Sequence, residues 1–187
     1  RLTRVARYFG RKHSMTAHFE TGSVITSSQP LRGLVGDIGG TNARFAIAER
    51  VAGKTTLANF KSLECDDYKD VYDALTAYFG MIGGKPDLDF TCVAVAGPVK
   101  DGAIQFTNLD WLVREDLLAQ TTKARKARLI NDYAALAFAL PHLSDEDTKR
   151  IGQVTTGFGN VHAVMGAGTG FGASVLVGGE FGPYCLS

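Results

Sequence analysis

Two segments of this chain run strand, glycine turn, strand, and that plan restricts the fold more than any other feature. In the first, the apolar run Leu34-Val35-Gly36-Asp37-Ile38 closes on Gly39-Gly40-Thr41-Asn42 and resumes as residues 43–48. Two strands around a tight glycine-rich turn predict a β-hairpin. In the second, residues 162–165, 166–172 and 173–177 repeat the plan. Gly36-Asp37-Ile38-Gly39-Gly40-Thr41 and Gly166-Ala167-Gly168-Thr169-Gly170 both carry a Thr in the turn, and their starts lie 130 residues apart. One phosphate-holding hairpin per domain, the pair facing a cleft, is the layout of a duplicated nucleotide-binding fold. Two unrelated glycine turns would look the same at this level.

Between the hairpins, strands and helices alternate. Residues 55–63 predict a third strand. Asp66-Asp67 predicts the cap of a helix over 68–81, in which Val71, Leu75 and Tyr78 recur at helical spacing. Gly83-Gly84 and Pro86 end it. Residues 90–96 have almost no polar member and predict a central buried strand bounded by Gly97-Pro98. Lys100-Asp101-Gly102 turns into a strand over 103–107, and a short helix follows over 114–121. A buried strand over 127–130 ends at Asn131-Asp132, and a helix then runs to Leu140, where Pro141 stops it. This order implies an α/β fold with a mixed sheet. Residues 31–143 form its first domain and 144–187 begin a second. The second hairpin is expected to have no sheet to join, which would leave it marginal in water.

The bulk numbers narrow the function classes. Hydrophobic residues make up 45% of the 187 and charged residues 21%, the balance of an ordinary globular chain. No apolar stretch reaches the roughly 18 to 20 residues that would span a bilayer, so no membrane partner is expected. Net charge is +1, but residues 1–32 hold Arg1, Arg4, Arg7, Arg11, Lys12 and Arg32 against Glu20 alone, a balance of +5 that leaves −4 for the rest. A mildly acidic body carries no electrostatic footprint for nucleic acid. Cys65, Cys92 and Cys185 are odd in number and far apart, neither a metal pair nor a disulfide framework. A reducing, cytoplasmic setting is the simplest one. Residues 1–30 are expected to be a disordered or non-native lead, with Met15 as a candidate start; residues 1–19 also have the basic, acid-free composition of a transit peptide.

Three places could carry chemistry. Gly39, Gly40 and Thr41 form a turn whose backbone N–H groups can approach phosphate oxygens with no Cβ in the way. Asp37, at the end of a buried strand, could hold the water shell of a Mg²⁺ ion. The same residues also suit a plain hairpin turn. The pattern is neither a P-loop, lacking Gly-Lys-Ser/Thr, nor a dinucleotide fingerprint, lacking a helix after the turn. Asn131-Asp132 sits where a buried strand becomes a helix, the end at which open α/β sheets bind ligands. Asp132 could accept the proton of an attacking hydroxyl, and it could equally cap the helix. His142 and His162 read as structural or solvated.

These segments resemble, in order, those of the bacterial glucokinase family. Residues 35–45 (Val-Gly-Asp-Ile-Gly-Gly-Thr-Asn-Ala-Arg-Phe) look like its first phosphate motif, and residues 93–99 and 106–111 are similar to its next two segments. Residues 128–137 resemble its catalytic segment and 166–172 its second phosphate motif. Asn42, where the related repressor–kinase sugar family usually has Lys, favours the glucokinase branch. The resemblance implies an actin-like ATPase (ribonuclease H-like) domain and ATP- and Mg²⁺-dependent phosphorylation of the 6-hydroxyl of glucose. It implies Asp132 as general base, with Asn131 and Asp132 on the sugar and Asn108 bordering the sugar site or serving a turn. It implies phosphate binding by Gly39, Gly40, Thr41, Asn42, Gly168, Thr169 and Gly170, with Asp37 near the Mg²⁺. Arg44 would help neutralise the phosphates, although strand alternation does not place it. Glucose and ATP are the implied partners, with a homodimer for the complete enzyme.

The resemblance stops at about residue 177. The family continues into a Glu-Gly-Gly-His segment whose Glu and His hold the sugar, then an adenosine-binding region. Residues 178–187 do not match it, no His follows His162, and the neighbours of Glu180 differ. The expectation from this departure is an N-terminal portion of a glucokinase with little activity alone. A non-catalytic sugar- or nucleotide-binding module, or a kinase of another hexose or amino sugar, are the alternatives.

Overall fold

The computed structural model of the chain describes residues 16–17, 30–149, 151, 160–167, 171–179 and 183–186. The expected hairpin is present as β2 (Leu31–Ile38) and β3 (Asn42–Val51), paired antiparallel from Leu31↔Arg50 to Ile38↔Ala43. β4 (Lys54–Glu64) continues the meander on the outer side of β3. Its register slips between Phe45↔Lys61 and Ile47↔Ala58, so Asn59 and Phe60 together face Ala46. That is a β-bulge, and Asn59 takes the left-handed conformation there, φ 57°. β5 (Phe90–Val95) lies parallel to β2, and β8 (Lys126–Asn131) lies parallel to β5. The five-stranded sheet runs β4-β3-β2-β5-β8, three antiparallel strands followed by two parallel additions.

Each parallel addition needs a crossover, and helices supply both. α1 (Val71–Met81) precedes β5 and α2 (Glu115–Thr122) precedes β8. Val71, Leu75 and Tyr78 of α1 and Leu118 of α2 are fully buried in one core with Leu34, Ile38, Val93, Val95 and Leu129. The Val71, Leu75, Tyr78 stripe read from the sequence is therefore the packing face. The helix start differs from the expectation. Asp66 and Asp67 lie in a 3-10 turn (Cys65–Asp67), and Asp70 is the cap, accepting from Tyr72 N at 2.9 Å and Asp73 N at 2.8 Å. A cap needs extended backbone immediately before the first helical turn, and only Asp70 meets that condition.

A short ribbon of β6 (Ala103–Gln105) and β7 (Leu112–Arg114) carries Trp111 and Val113 into the same core. β7 was not expected; three residues are too few to show a period. β8 leads into α3 (Asp132–Ala139), and Pro141 falls inside a following 3-10 turn, Leu140–His142. The second hairpin is β9 (Val161–Ala167) and β10 (Phe171–Val177). Contrary to expectation it does join a sheet. β11 (Tyr184–Leu186) pairs with β10, and β1 (Thr16–Ala17) pairs with β11. A second small core of Ala134, Ala137, Leu176 and Cys185, with Phe138 and Val164 against it, seats this sheet on α3. Thr16 and Ala17 thus take part in a sheet, although they fall in the segment expected as a lead.

Candidate active site

The parallel strands place the candidate residues at one end of the sheet. Ile38, Val95 and Asn131 stand in one register across β2, β5 and β8. Asp37 is one residue back from that line on β2, and Asp132 is one residue beyond it after β8. Neighbouring strands lie about 4.8 Å apart, so the β2–β3 turn and the Asn131–Asp132 corner are separated by on the order of 10 Å along this edge.

At the corner, Asn131 keeps extended backbone, and its Oδ1 accepts from Tyr133 N at 3.0 Å and Ala134 N at 3.2 Å. The helix cap expected at Asp132 therefore belongs mainly to Asn131. The amide of Asn131 donates to the carbonyl of Gly97 at 3.2 Å and to Asp132 Oδ1 at 2.9 Å. Asp132 Oδ1 also accepts from Tyr133 N at 2.9 Å. One carboxylate oxygen is thus fixed by two donors, which leaves Oδ2 as the oxygen that can receive a proton from a hydroxyl. Asp132 is half-buried. Gly97, whose carbonyl accepts the Asn131 amide at this corner, is a residue that function-directed sequence reading passed over. Its φ of 151° suits only glycine, and a Cβ there would meet Ile104 Cδ1 at 2.9 Å. The Gly97-Pro98 punctuation was the available signal.

At the turn, Gly39 N donates to Asn42 O at 2.9 Å and closes the hairpin. Gly40 and Thr41 remain as donors for an oxyanion. Neither glycine has a positive φ, and a Cβ built at Gly40 meets nothing within 4 Å. Backbone geometry and internal packing therefore do not require glycine at position 40, whereas a ligand drawn against the turn would. The turn is held from outside by Cys65, whose N donates to Thr41 O at 2.7 Å and whose Sγ lies 3.9 Å from Gly39 O. Burial, with Asp66 and Glu64 adding to it, raises the Cys65 thiol above its ordinary value, so the thiol stays protonated as a donor. Asn42 Oδ1 accepts from Ser62 Oγ at 3.3 Å.

Asp37 and Arg44 face each other in the β2–β3 register, and Arg44 Nη1 reaches Asp37 Oδ2 at 2.9 Å. Register thus places the arginine that strand alternation left open. Both side chains are about half exposed, so the carboxylate can still reach water. No group of three or more candidate metal-ligating side chains occurs among the described residues. A lone carboxylate with an accessible oxygen fits Mg²⁺, which keeps most of its waters and takes further oxygens from phosphates. Asn108 sits in an exposed bend between β6 and β7, and no hydrogen bond among the described residues ties it to the corner. Gly168, Thr169 and Gly170 lie outside the described residues.

Comparison with known proteins bears on the family and the fold. The glucokinase family model matches residues 34–185. A curated glucokinase of Caulobacter sp. (strain K31) is 46% identical over 146 residues, covering 78% of this chain and 44% of that protein. A glucokinase of Caulobacter vibrioides (strain NA1000 / CB15N) is 44% identical over the same shares. A glucokinase structure from an Antarctic psychrotroph superposes with a TM-score of 0.73 at 34% identity, over 83% of this chain and 49% of that one. The glucokinase of Balamuthia mandrillaris, solved with glucose, shares the fold at a TM-score of 0.56 and 17% identity, over 87% of this chain and 48% of that one. The chain spans a little under half the length of these relatives.

Proposed function

The chain belongs to the glucokinase family and has the α/β, actin-like ATPase fold, and on that premise we propose that the protein phosphorylates the 6-hydroxyl of D-glucose with ATP. The observation that carries the reading is the Asn131–Asp132 corner, where one oxygen of Asp132 is fixed by two donors and the other is left for a substrate. Asp132 Oδ2 takes the proton of the sugar hydroxyl as that oxygen bonds to the γ-phosphorus, and ADP leaves on the opposite side. Such transfers depend on alignment and charge neutralisation more than on covalent chemistry. Asn131 fixes the carboxylate through its amide and, through Gly97, ties the corner to the end of β5. Gly40 and Thr41 donate backbone N–H groups to phosphate oxygens. Asp37 is the residue suited to hold the water shell of Mg²⁺, which supplies positive charge against the β- and γ-phosphates when bound. Arg44 holds Asp37 in place through its Nη1, and its charge is shared between that carboxylate and the phosphates.

The test is glucose 6-phosphate formation by the purified full-length protein with ATP and Mg²⁺, run against mannose, fructose and N-acetylglucosamine. Glucose is expected to have the highest kcat/KM. A higher value for another sugar would move the protein to a different kinase specificity, and no turnover with any of them would remove the kinase reading. Among the described residues no helix is long and apolar enough to cross a membrane.

A further inference from the structure

Tyr133 follows Asp132 directly, and the proposed chemistry gives its side chain no task. Its backbone N–H is held by both Asn131 Oδ1 and Asp132 Oδ1, so the start of its side chain is fixed relative to the corner. Its ring lies against the second hairpin at Gly166 and Gly172, which face each other across β9 and β10. A Cβ at Gly166 would come within 2.5 Å of Tyr133 Oη, and a Cβ at Gly172 would overlap the ring carbons. Glycine is required at a position either because φ is positive or because space is lacking. Gly166 and Gly172 are not among the positive-φ glycines. Space is then the reason, and the group that takes the space is one side chain from α3.

We propose that Tyr133 is a positioning residue that sets the distance between the β9–β10 hairpin and the Asn131–Asp132 corner, and that Gly166 and Gly172 are glycines to seat its ring. Further along α3, Ala134 and Ala137 pack on Leu176 and Cys185. Those contacts hold the small sheet to the helix, and the Tyr133 ring limits its approach at the end next to Asp132.

The kinetic arm of the test rests on the kinase reading, and the structural arm does not. In the full-length protein, Gly172→Ala is expected to lower kcat/KM for ATP by about 10- to 100-fold, because misplacement on the order of 1 Å costs that much. Tyr133→Ala is expected to lower it too, and Tyr133→Phe, which keeps the ring, to restore most of that loss. Glucose affinity measured without nucleotide is expected to change far less than KM for ATP. The double variant Tyr133→Ala/Gly172→Ala is expected to be more active and to melt higher than the product of the single effects predicts, since the colliding ring is gone. Without nucleotide, Tyr133→Ala is expected to speed amide exchange in β9 and β10 and to leave β2 and β5 unchanged. Additive single effects, or unaltered exchange in β9 and β10, would overturn the proposal. If exchange and melting behave as expected while no sugar is phosphorylated, the contact stands and the kinase reading falls.

Discussion

In the proposed reaction, Asp132 concentrates the chemistry at a single atom. Oδ1 already accepts two hydrogen bonds, so the carboxylate cannot rotate without losing both. Asp132→Asn keeps the shape and can keep those bonds, but it cannot take up a proton. It is expected to lower kcat about 10²- to 10⁴-fold with a small change in glucose affinity, read by steady-state kinetics beside direct sugar titration. A near-normal kcat would reduce Asp132 to a partner of Asn131. Asp37 makes a different demand. Asp37→Ala leaves Arg44 without its carboxylate and, on the proposed reading, the Mg²⁺ water shell without its acceptor. It is expected to raise the Mg²⁺ concentration needed for half-maximal rate and to spare glucose binding; a collapse of glucose affinity at unchanged Mg²⁺ dependence would refute the assignment. Sequence alone singled out both aspartates because each ends a buried strand. The cap it offered for α3 was Asp132, whereas the adjacent and equally suitable Asn131 takes that role. The strand continuing through Asn131 decides it.

The elements that were legible have a clear period or punctuation. β2, β3 and β5 follow apolar runs next to glycine or proline punctuation, and α1 follows a Val71, Leu75, Tyr78 stripe. What escaped was a strand too short to show a period (β7), a choice among neighbouring aspartates (the cap at Asp70) and a non-local feature, the bulge opposite Ala46. The bulge is held by a contact 19 residues away, where Tyr78 Oη donates to Asn59 O at 3.1 Å. Burial pushes the Tyr78 phenol from 10.0 up to about 12. Because the folded value lies above the unfolded one, this group's contribution to stability is fully present below pH about 10 and is lost as pH rises towards about 12. Tyr78→Phe removes both the bond and this titration. It is expected to cost about 1 kcal/mol at neutral pH and to lose less stability than the wild type between pH about 10 and about 12. Tyr72, whose value burial also raises, keeps its own share in both proteins. Urea melts at the two ends of that range measure the difference, and parallel losses in the two proteins would show that Tyr78 is not the group responsible.

At the scale of the molecule there are two cores of unequal size, and among the described residues no helix contributes buried residues to both. The larger unites the five-stranded sheet with α1 and α2, and the smaller joins α3 to the β9–β10–β11 sheet through Ala134, Ala137, Leu176 and Cys185. The sequence suggested a bare hairpin because the strand that pairs with β10 is three residues long and follows a glycine-rich stretch. A core of four buried residues protects little, so the small sheet should open while the large one stays folded. Backbone amides of β10 are therefore expected to exchange through a local opening, and those of β2 and β5 only through global unfolding. Leu176→Ala sharpens the comparison. Removing a buried leucine side chain typically costs about 2 to 5 kcal/mol, and here that loss falls on the docking of β10 to α3. The variant is expected to raise exchange rates in β9, β10 and β11 by orders of magnitude while the rates in β2 and β5 stay within about the spread seen for independent sites. Because α3, on which the small sheet rests, begins at Asp132, the same opening would carry β9 and β10 away from that end of the helix. Nucleotide binding should then slow exchange in β9 and β10 more than in β4. Equal protection of all three strands, or equal acceleration of both sheets by Leu176→Ala, would mean that the two cores unfold as one.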